Sequence, residues 1–249
     1  MKPIEWIKRE YALRVTKSVT REMTGITGRF HVNSKQEYKV VAGGLSEPEL
    51  RSAVFDLLRP DDVVFEIGAH IGSWSIYIAK RVVEGELHVF EPVPGNYEKL
   101  VANLDLNALN HVTAYACALG DTPGQASFYV PGNNASGIGA LHDNHKSQTR
   151  ISVEVRTVDE VAAGLMRPPT FLKIDCEGAE AMVLRGARAT LRQSVRCIFL
   201  EVHKPFLKEQ GEDADQMIRD LLDAGFVVRR RWGDESDARH LLLEREASA

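Results

Sequence analysis

The chain has 249 residues, 44% hydrophobic and 27% charged, the composition of an ordinary globular protein with ample material for a core. Its 31 Lys and Arg against 35 Asp and Glu leave a net charge of −4, which argues against broad electrostatic binding of nucleic acid. No apolar run approaches the ~20 residues of a membrane helix, and Met1-Lys2-Pro3-Ile4-Glu5 opens without the apolar stretch of a secretory signal. Cys117, Cys176 and Cys197 lack metal-ligand spacing, so a reduced, cytoplasmic setting is expected.

Residues 4–23 read as one helix, with Ile4, Ile7, Tyr11, Val15 and Val19 recurring at three- and four-residue steps. Six Lys and Arg against two Glu make the stretch 1–21 basic. Packing on the main domain or in a homodimer is expected of it, with a lid over substrate or contact with an anionic surface as the alternatives. Residues 24–46, with Gly25, Gly28, Gly43 and Gly44 and strand-like pieces such as Tyr38-Lys39-Val40-Val41, read as a linker or small cap. The expected division is therefore an N-terminal helix and cap over 1–46 and one domain over 47–249.

From Glu47 the rhythm is regular. Glu49 to Leu58 reads as a helix stopped by Pro60, and Asp61-Asp62 turns into a strand over 62–67. Helix 73–83, strand 87–91, helix 95–107 and strand 112–117 follow, an alternation that implies βαβ units and a parallel sheet. Gln125 to Val130 and Ile151 to Val155 alternate like strands around a loop beginning Pro131-Gly132-Asn133-Asn134, read as substrate-side. Strand 170–175, helix 179–189, strand 197–203 and helix 214–224 complete the pattern. Two final strands, 226–231 and 240–244, are joined by polar residues and predict an antiparallel hairpin.

Val63 to Gly72 carries the chemistry. An apolar strand ends at Glu66, turns through Gly68 and Gly72, and enters a helix whose free N–H groups would face a ligand. The pattern is G-x-x-x-G, not the G-x-G-x-x-G that admits a pyrophosphate. A ligand with one adenosine, no phosphate and a carboxylate tail fits it, and S-adenosylmethionine is that ligand. Glu91 ends the second strand 25 residues after Glu66, suited to accept hydrogen bonds from a ribose diol. Lys173 lies in an apolar strand and needs a carboxylate; period two puts Asp175 on its face. Asp175, Glu201 and His203 end adjacent strands and are the candidate catalytic residues, with His203 the better base near neutral pH by its ordinary pKa. They could also hold a divalent metal, though no metal is assigned. Glu177 and Glu180 read as solvated or cofactor-side.

Phe65-Glu66-Ile67-Gly68-Ala69-His70-Ile71-Gly72, Phe90-Glu91-Pro92-Val93-Pro94-Gly95-Asn96-Tyr97, Ala118-Leu119-Gly120-Asp121 and Leu172-Lys173-Ile174-Asp175-Cys176-Glu177-Gly178-Ala179-Glu180 resemble, in order, the FkbM family of S-adenosylmethionine-dependent methyltransferases. The resemblance covers roughly residues 60–203 and implies a Rossmann-like class I methyltransferase fold, with a seven-stranded, mostly parallel sheet. It also implies methyl transfer to a hydroxyl of a natural product, sugar or glycan. By position Glu66, Gly68, Ala69 and Gly72 would meet the methionine part, Glu91 and Pro92 the ribose side, and Cys117, Ala118 and Leu119 the adenine. Glu66 stands where the family usually has Asp, and His70 where Asn is common. Two other classes stay open, a non-catalytic cofactor-binding partner protein and an NAD-dependent oxidoreductase.

Overall fold

The computed structural model describes residues 3–43, 48–131, 148–234 and 237–246. Its centre is a seven-stranded sheet. In chain order the N-terminal part holds α1 (Pro3–Tyr11), a π turn (Ala12–Thr16), the hairpin β1 (Ser18–Met23) and β2 (Ile26–His31), α2 (Lys35–Gly43) and α3 (Pro48–Leu57). Then come β3 (Val63–Ile67), α4 (Ser75–Arg81), β4 (Glu86–Phe90), α5 (Pro94–Leu106), β5 (Val112–Tyr115), β6 (Ala118–Leu119), β7 (Gly124–Pro131) and β8 (Gln148–Arg156). The chain continues through α6 (Val158–Ala163), β9 (Phe171–Ile174), α7 (Glu180–Arg185), α8 (Arg188–Gln193), β10 (Cys197–Glu201), α9 (Lys204–Glu209) and α10 (Ala214–Asp223). It closes with β11 (Phe226–Asp234) and β12 (Asp237–Arg245).

The sheet order is β11-β12-β10-β9-β3-β4-β5. Only β12 runs against its neighbours; the β3, β4, β5, β9 and β10 pairings are parallel. Alternation along the central strands divides the core in two. Val63, Phe65, Ile67, Leu172 and Ile174 pack with α6, α7, α8 and α10. Val64, Phe171, Phe199 and Leu242 face α3, α4 and the N-terminal hairpin. Glu66 and Lys173 fall on this second face, side by side in register.

The predicted 4–23 helix ends early. Tyr11 leads into the π turn, Lys17 adopts a left-handed φ of 52°, and Ser18 begins a strand. Thr24 and Gly25, with φ of 49° and 76°, form a two-residue turn that pairs Met23 with Ile26, the backbone a tight hairpin requires. The β-branched residues at 15, 16, 19 and 20 suit the strand better than a helix. Burial of Phe30 against Tyr77, with ring centroids 6.0 Å apart, ties the hairpin to α4. Trp6, Ile7, Tyr11 and Val15 are left exposed.

Tyr38 to Val41, read as strand-like, lie instead in α2. Ser34 Oγ accepts from the Glu37 N–H at 3.1 Å, and the Glu37 carboxylate accepts from Asn33 N–H, which together start a helix. The predicted 179–189 helix is broken between α7 and α8. Gly186 packs so close to Gly120 that a Cβ would sit 1.9 Å from its carbonyl oxygen, and Asp159 caps the restart through the N–H groups of Ala189 and Thr190. The alternating segments are strands as predicted, β7 and β8, which pair antiparallel, with β6 on the other side of β8. The substrate-side loop between them falls largely on 132–147, outside the described residues. Among the described residues no helix is long and apolar enough to cross a membrane.

Candidate active site

A cleft opens at the carboxyl ends of β3, β4 and β9, the edge where open α/β sheets bind ligands. Its lining includes Glu66, Gly68, Ala69, Glu91, Pro92, Cys117, Ala118, Leu119 and Asp175 of the predicted set. Gly72, Glu201 and His203 are not in that lining.

The loop after β3 pairs its own N–H groups before the helix begins. Gly68 and Ala69 both donate to the Phe90 carbonyl at 3.0 Å, His70 donates to Glu91, and Gly72 donates to Ala69. Gly68 has φ +82°, and a Cβ there would lie 1.8 Å from the Asp175 carbonyl oxygen. The glycine lets the β3 loop and the β9 loop touch backbone to backbone, fixing the two sides of the cleft. His70 also has a positive φ, 53°; its Nε2 is buried without a hydrogen-bond partner among the described residues. Burial drives its pKa down to about 4, so the ring is neutral.

Glu91 is 5% exposed and tightly held. Oε2 accepts from His70 N–H at 2.8 Å; Oε1 accepts from Val93 N–H at 3.0 Å and from Asn96 Nδ2 at 3.3 Å. Even so, burial pushes its carboxyl from an ordinary 4.5 up to about 7. The folded protein therefore keeps a proton that the unfolded chain has already released. This group's contribution to stability is full below pH 4.5 and is lost as pH rises to about 7. Glu91→Gln should flatten that fall, which is about 3 kcal/mol in urea melts of the ligand-free protein. An unchanged pH profile would contradict it.

Glu66 is fully buried in the lining, and neither of its oxygens receives a hydrogen bond among the described residues. Lys173, 1% exposed, is its counter-charge at 3.6 Å and lies 3.3 Å from Asp175 Oδ2. Burial raises the Glu66 carboxyl against the pull of Lys173. Burial likewise opposes the Lys173 charge, but Asp175, Glu66 and Glu201 outweigh it and hold the ammonium above its ordinary value. Trp74 closes this side, its ring 5.7 Å from Lys173 Nζ and under the Arg51 guanidinium at 4.2 Å. At the other end, Phe90 stacks on Tyr115 at 4.7 Å, and Cys117, Leu119 and Phe128 continue the apolar wall.

His203 stands beside the cleft behind Asp175 and Glu177. Its Nδ1 is 2.6 Å from Oε1 of Glu180; its Nε2 is 3.4 Å from Glu177 and 3.6 Å from Glu201. Burial disfavours the imidazolium, yet the bond to Glu180 and the nearby Glu177 and Asp175 carry its pKa up to about 9. Glu180 is wholly buried, against the solvated reading, and also accepts from Gly178 N–H. Glu177, raised to about 7 chiefly by burial, lines the cleft. Asp175, Glu177 and His203 are close enough to share an ion, so the donor set differs from the expected one by Glu177 in place of Glu201.

Val40, Asn96 and Phe128 were missed by sequence reasoning. Val40 reaches the cleft from α2 and Phe128 from β7, so neither has a local motif; Asn96 sits two residues into α5, in reach of Glu91.

A family model for the methyltransferase FkbM domain matches residues 66–228, well over half of the chain. The chain belongs to that family. It is an S-adenosylmethionine-dependent methyltransferase with the class I fold that its motifs implied. Among curated relatives, the hexuronic acid methyltransferase AglP of Haloferax volcanii is 27% identical over 86% of this chain and 89% of its own length. The 2-O-methyltransferase NoeI of Sinorhizobium fredii is 28% identical over 79% and 88%. A solved methyltransferase FkbM structure from Methylobacillus flagellatus has a TM-score of 0.50 at 19% identity, covering 76% of this chain and 45% of that one. This chain thus spans under half of that protein, and the likeness concerns the fold alone.

Proposed function

We propose that the cleft binds S-adenosylmethionine with Glu66 at its amino group and Glu91 at its ribose, and methylates a hydroxyl of a small acceptor such as a sugar, a sugar acid or another natural product. The observation that carries this is the buried carboxylate of Glu66 on the same cleft as Glu91: Lys173 and Ser75 stand near it, yet neither oxygen accepts a close hydrogen bond among the described residues. An ammonium and a sulfonium satisfy such a group; a pyrophosphate would be repelled by it. When bound, the cofactor supplies an electrophilic methyl group.

The chain's residues do the positioning. Glu66 accepts from the amino group while Lys173 balances its charge. Glu91 accepts from the ribose hydroxyls, with the Asn96 contact, the longest of its three at 3.3 Å, the one that yields. Cys117, Ala118, Leu119 and Phe90 flank the adenine. Asp175, partly exposed at the cleft edge, accepts a hydrogen bond from the attacking hydroxyl and takes its proton as the oxygen–methyl bond forms and the carbon–sulfur bond breaks. His203 and Glu201, outside the lining, position the Asp175–Glu177 loop and the Lys173 charge. Residues 1–46 act as a cap whose α2 closes over the cleft through Val40.

The names of the relatives point to sugar acids and sugars as the acceptors to try first. The test is incubation with S-adenosylmethionine and a panel of hexuronic acids, hexoses and macrolide alcohols, read by mass spectrometry. A product heavier by one methylene is expected from at least one of them. Bound cofactor with no product from any acceptor would favour a non-catalytic partner protein. A homodimer through the exposed α1 belongs to the same proposal, and light scattering checks it. Action on nucleic acid does not.

A further inference from the structure

We propose that Asp175, Glu177 and His203 Nε2 form a binding site for a divalent cation of the Mn²⁺ class on the acceptor side of the cleft. One ligand atom from each residue lies within 4.8 Å of the others. Small side-chain rotations bring such a set onto one ion at about 2.0–2.2 Å.

Proximity alone would not carry this, because carboxylates often gather without an ion. His203 supplies the independent observation. The residue is 7% exposed, and its Nε2 is buried with no hydrogen-bond partner among the described residues. It faces the Glu177 and Glu201 carboxylates at 3.4 and 3.6 Å, ion-pair distances for an imidazolium that leave it without a hydrogen bond to either. The other ring nitrogen is engaged at 2.6 Å by Glu180, itself wholly buried. Glu180 accepts from the Nδ1 hydrogen; without an ion the ring is an imidazolium, its pKa raised to about 9, and a cation at the cluster takes the place of the Nε2 proton. A carboxylate behind a histidine in this way is the arrangement that orients metal-binding imidazoles.

The backbone supports the same placement. Glu177 has φ +51° and Gly178 φ +101°, folding the loop after β9 back toward its strand. A Cβ on Gly178 would lie 2.7 Å from Phe206 Cβ, so the loop is seated against α9, the helix that follows His203.

Two carboxylates and one imidazole form a hard-to-borderline donor set, suited to Mn²⁺ or Zn²⁺ and not to soft monovalent ions. Three protein ligands leave positions open for oxygens of a hydroxylated acceptor. There the ion would lower the pKa of the bound hydroxyl, its proton passing to solvent, and would relieve Asp175 of that task. This use of the ion rests on the methyl-transfer reading; the binding site does not.

The full chain, stripped with EDTA, is titrated with MnCl₂ while electron paramagnetic resonance follows free Mn²⁺. One saturable site per chain is expected. Asp175→Asn and His203→Ala should each weaken it at least tenfold. Glu180→Gln, which touches the imidazole and the Gly178 N–H but not the ion, should weaken it by about 10- to 100-fold. Glu177→Gln, at a partly exposed side chain, serves if the His203 or Glu180 variants do not fold by circular dichroism. Absence of a saturable site, or a site that these variants leave within twofold, overturns the proposal. S-adenosylhomocysteine is titrated into the same stripped protein. Its binding without Mn²⁺ binding sinks the ion site alone; Mn²⁺ binding without it sinks the methyl-transfer reading alone.

Discussion

Lys173→Met should destabilise the protein by about 3–5 kcal/mol, the range for removing one partner of a buried ion pair. The ammonium sits between Glu66 at 3.6 Å and Asp175 at 3.3 Å, and Lys173 and Glu66 are both essentially inaccessible. Methionine fills a similar volume, so the loss measures charge rather than packing. Glu66 would then be a buried carboxylate without its counter-ion. Adding Glu66→Gln to Lys173→Met should recover part of the loss, because it removes the stranded charge. Urea denaturation of the two variants checks both statements. A loss below about 1 kcal/mol for the single variant would mean that water reaches the pair.

The second large effect falls on the cofactor. Glu91→Ala should weaken S-adenosylhomocysteine binding about 100-fold, close to 3 kcal/mol, the scale of charge-assisted hydrogen bonds lost from a buried site. Two causes add. The ribose loses its acceptor, and the His70 and Val93 N–H groups lose the carboxylate that holds the β3 and β4 loops together. Asn96→Ala separates them. It removes the 3.3 Å contact while leaving the carboxylate in place, and should cost affinity no more than a few-fold. Affinity of Glu91→Ala within threefold of the parent chain would remove Glu91 from the ribose site.

These residues show what a sequence can and cannot carry. The central strands were legible because apolar runs bounded by Gly, Pro and Asp leave few other readings, and period two alone put Lys173 and Asp175 on one face. The register of Glu66 opposite Lys173 adds the third charge to that face, a pairing that only the sheet order reveals. Local signals were misread where two periods overlap. Val15 and Val19 continue a helical spacing from Tyr11, yet the chain turns at Lys17 and the following residues alternate as a strand. Ser34 and Glu37 did mark a helix start, and the β-rich look of Tyr38 to Val41 obscured it. Thr157 and Glu160 marked α6 in the same way.

At the site, spacing identified the cofactor carboxylates but not what surrounds them. The pairing of the Gly68, Ala69 and His70 N–H groups depends on Phe90 and Glu91, at the end of a different strand. The histidine's environment was equally non-local. His203 reads as a neutral base only if its neighbours are ignored, whereas Glu180, 23 residues earlier in the chain, lies against its Nδ1. No sequence pattern places Val40 or Phe128 over the cleft, since long-range packing of α2 and β7 brings them there.

The most direct test of the account is calorimetric titration of the EDTA-treated protein with S-adenosylhomocysteine, with NADH run as the comparison. Saturable one-to-one binding in the micromolar range, absent for NADH, is the result expected of a cleft with Glu66 and Glu91 on its walls. Binding of NADH with no heat from S-adenosylhomocysteine would contradict the assignment of the cleft.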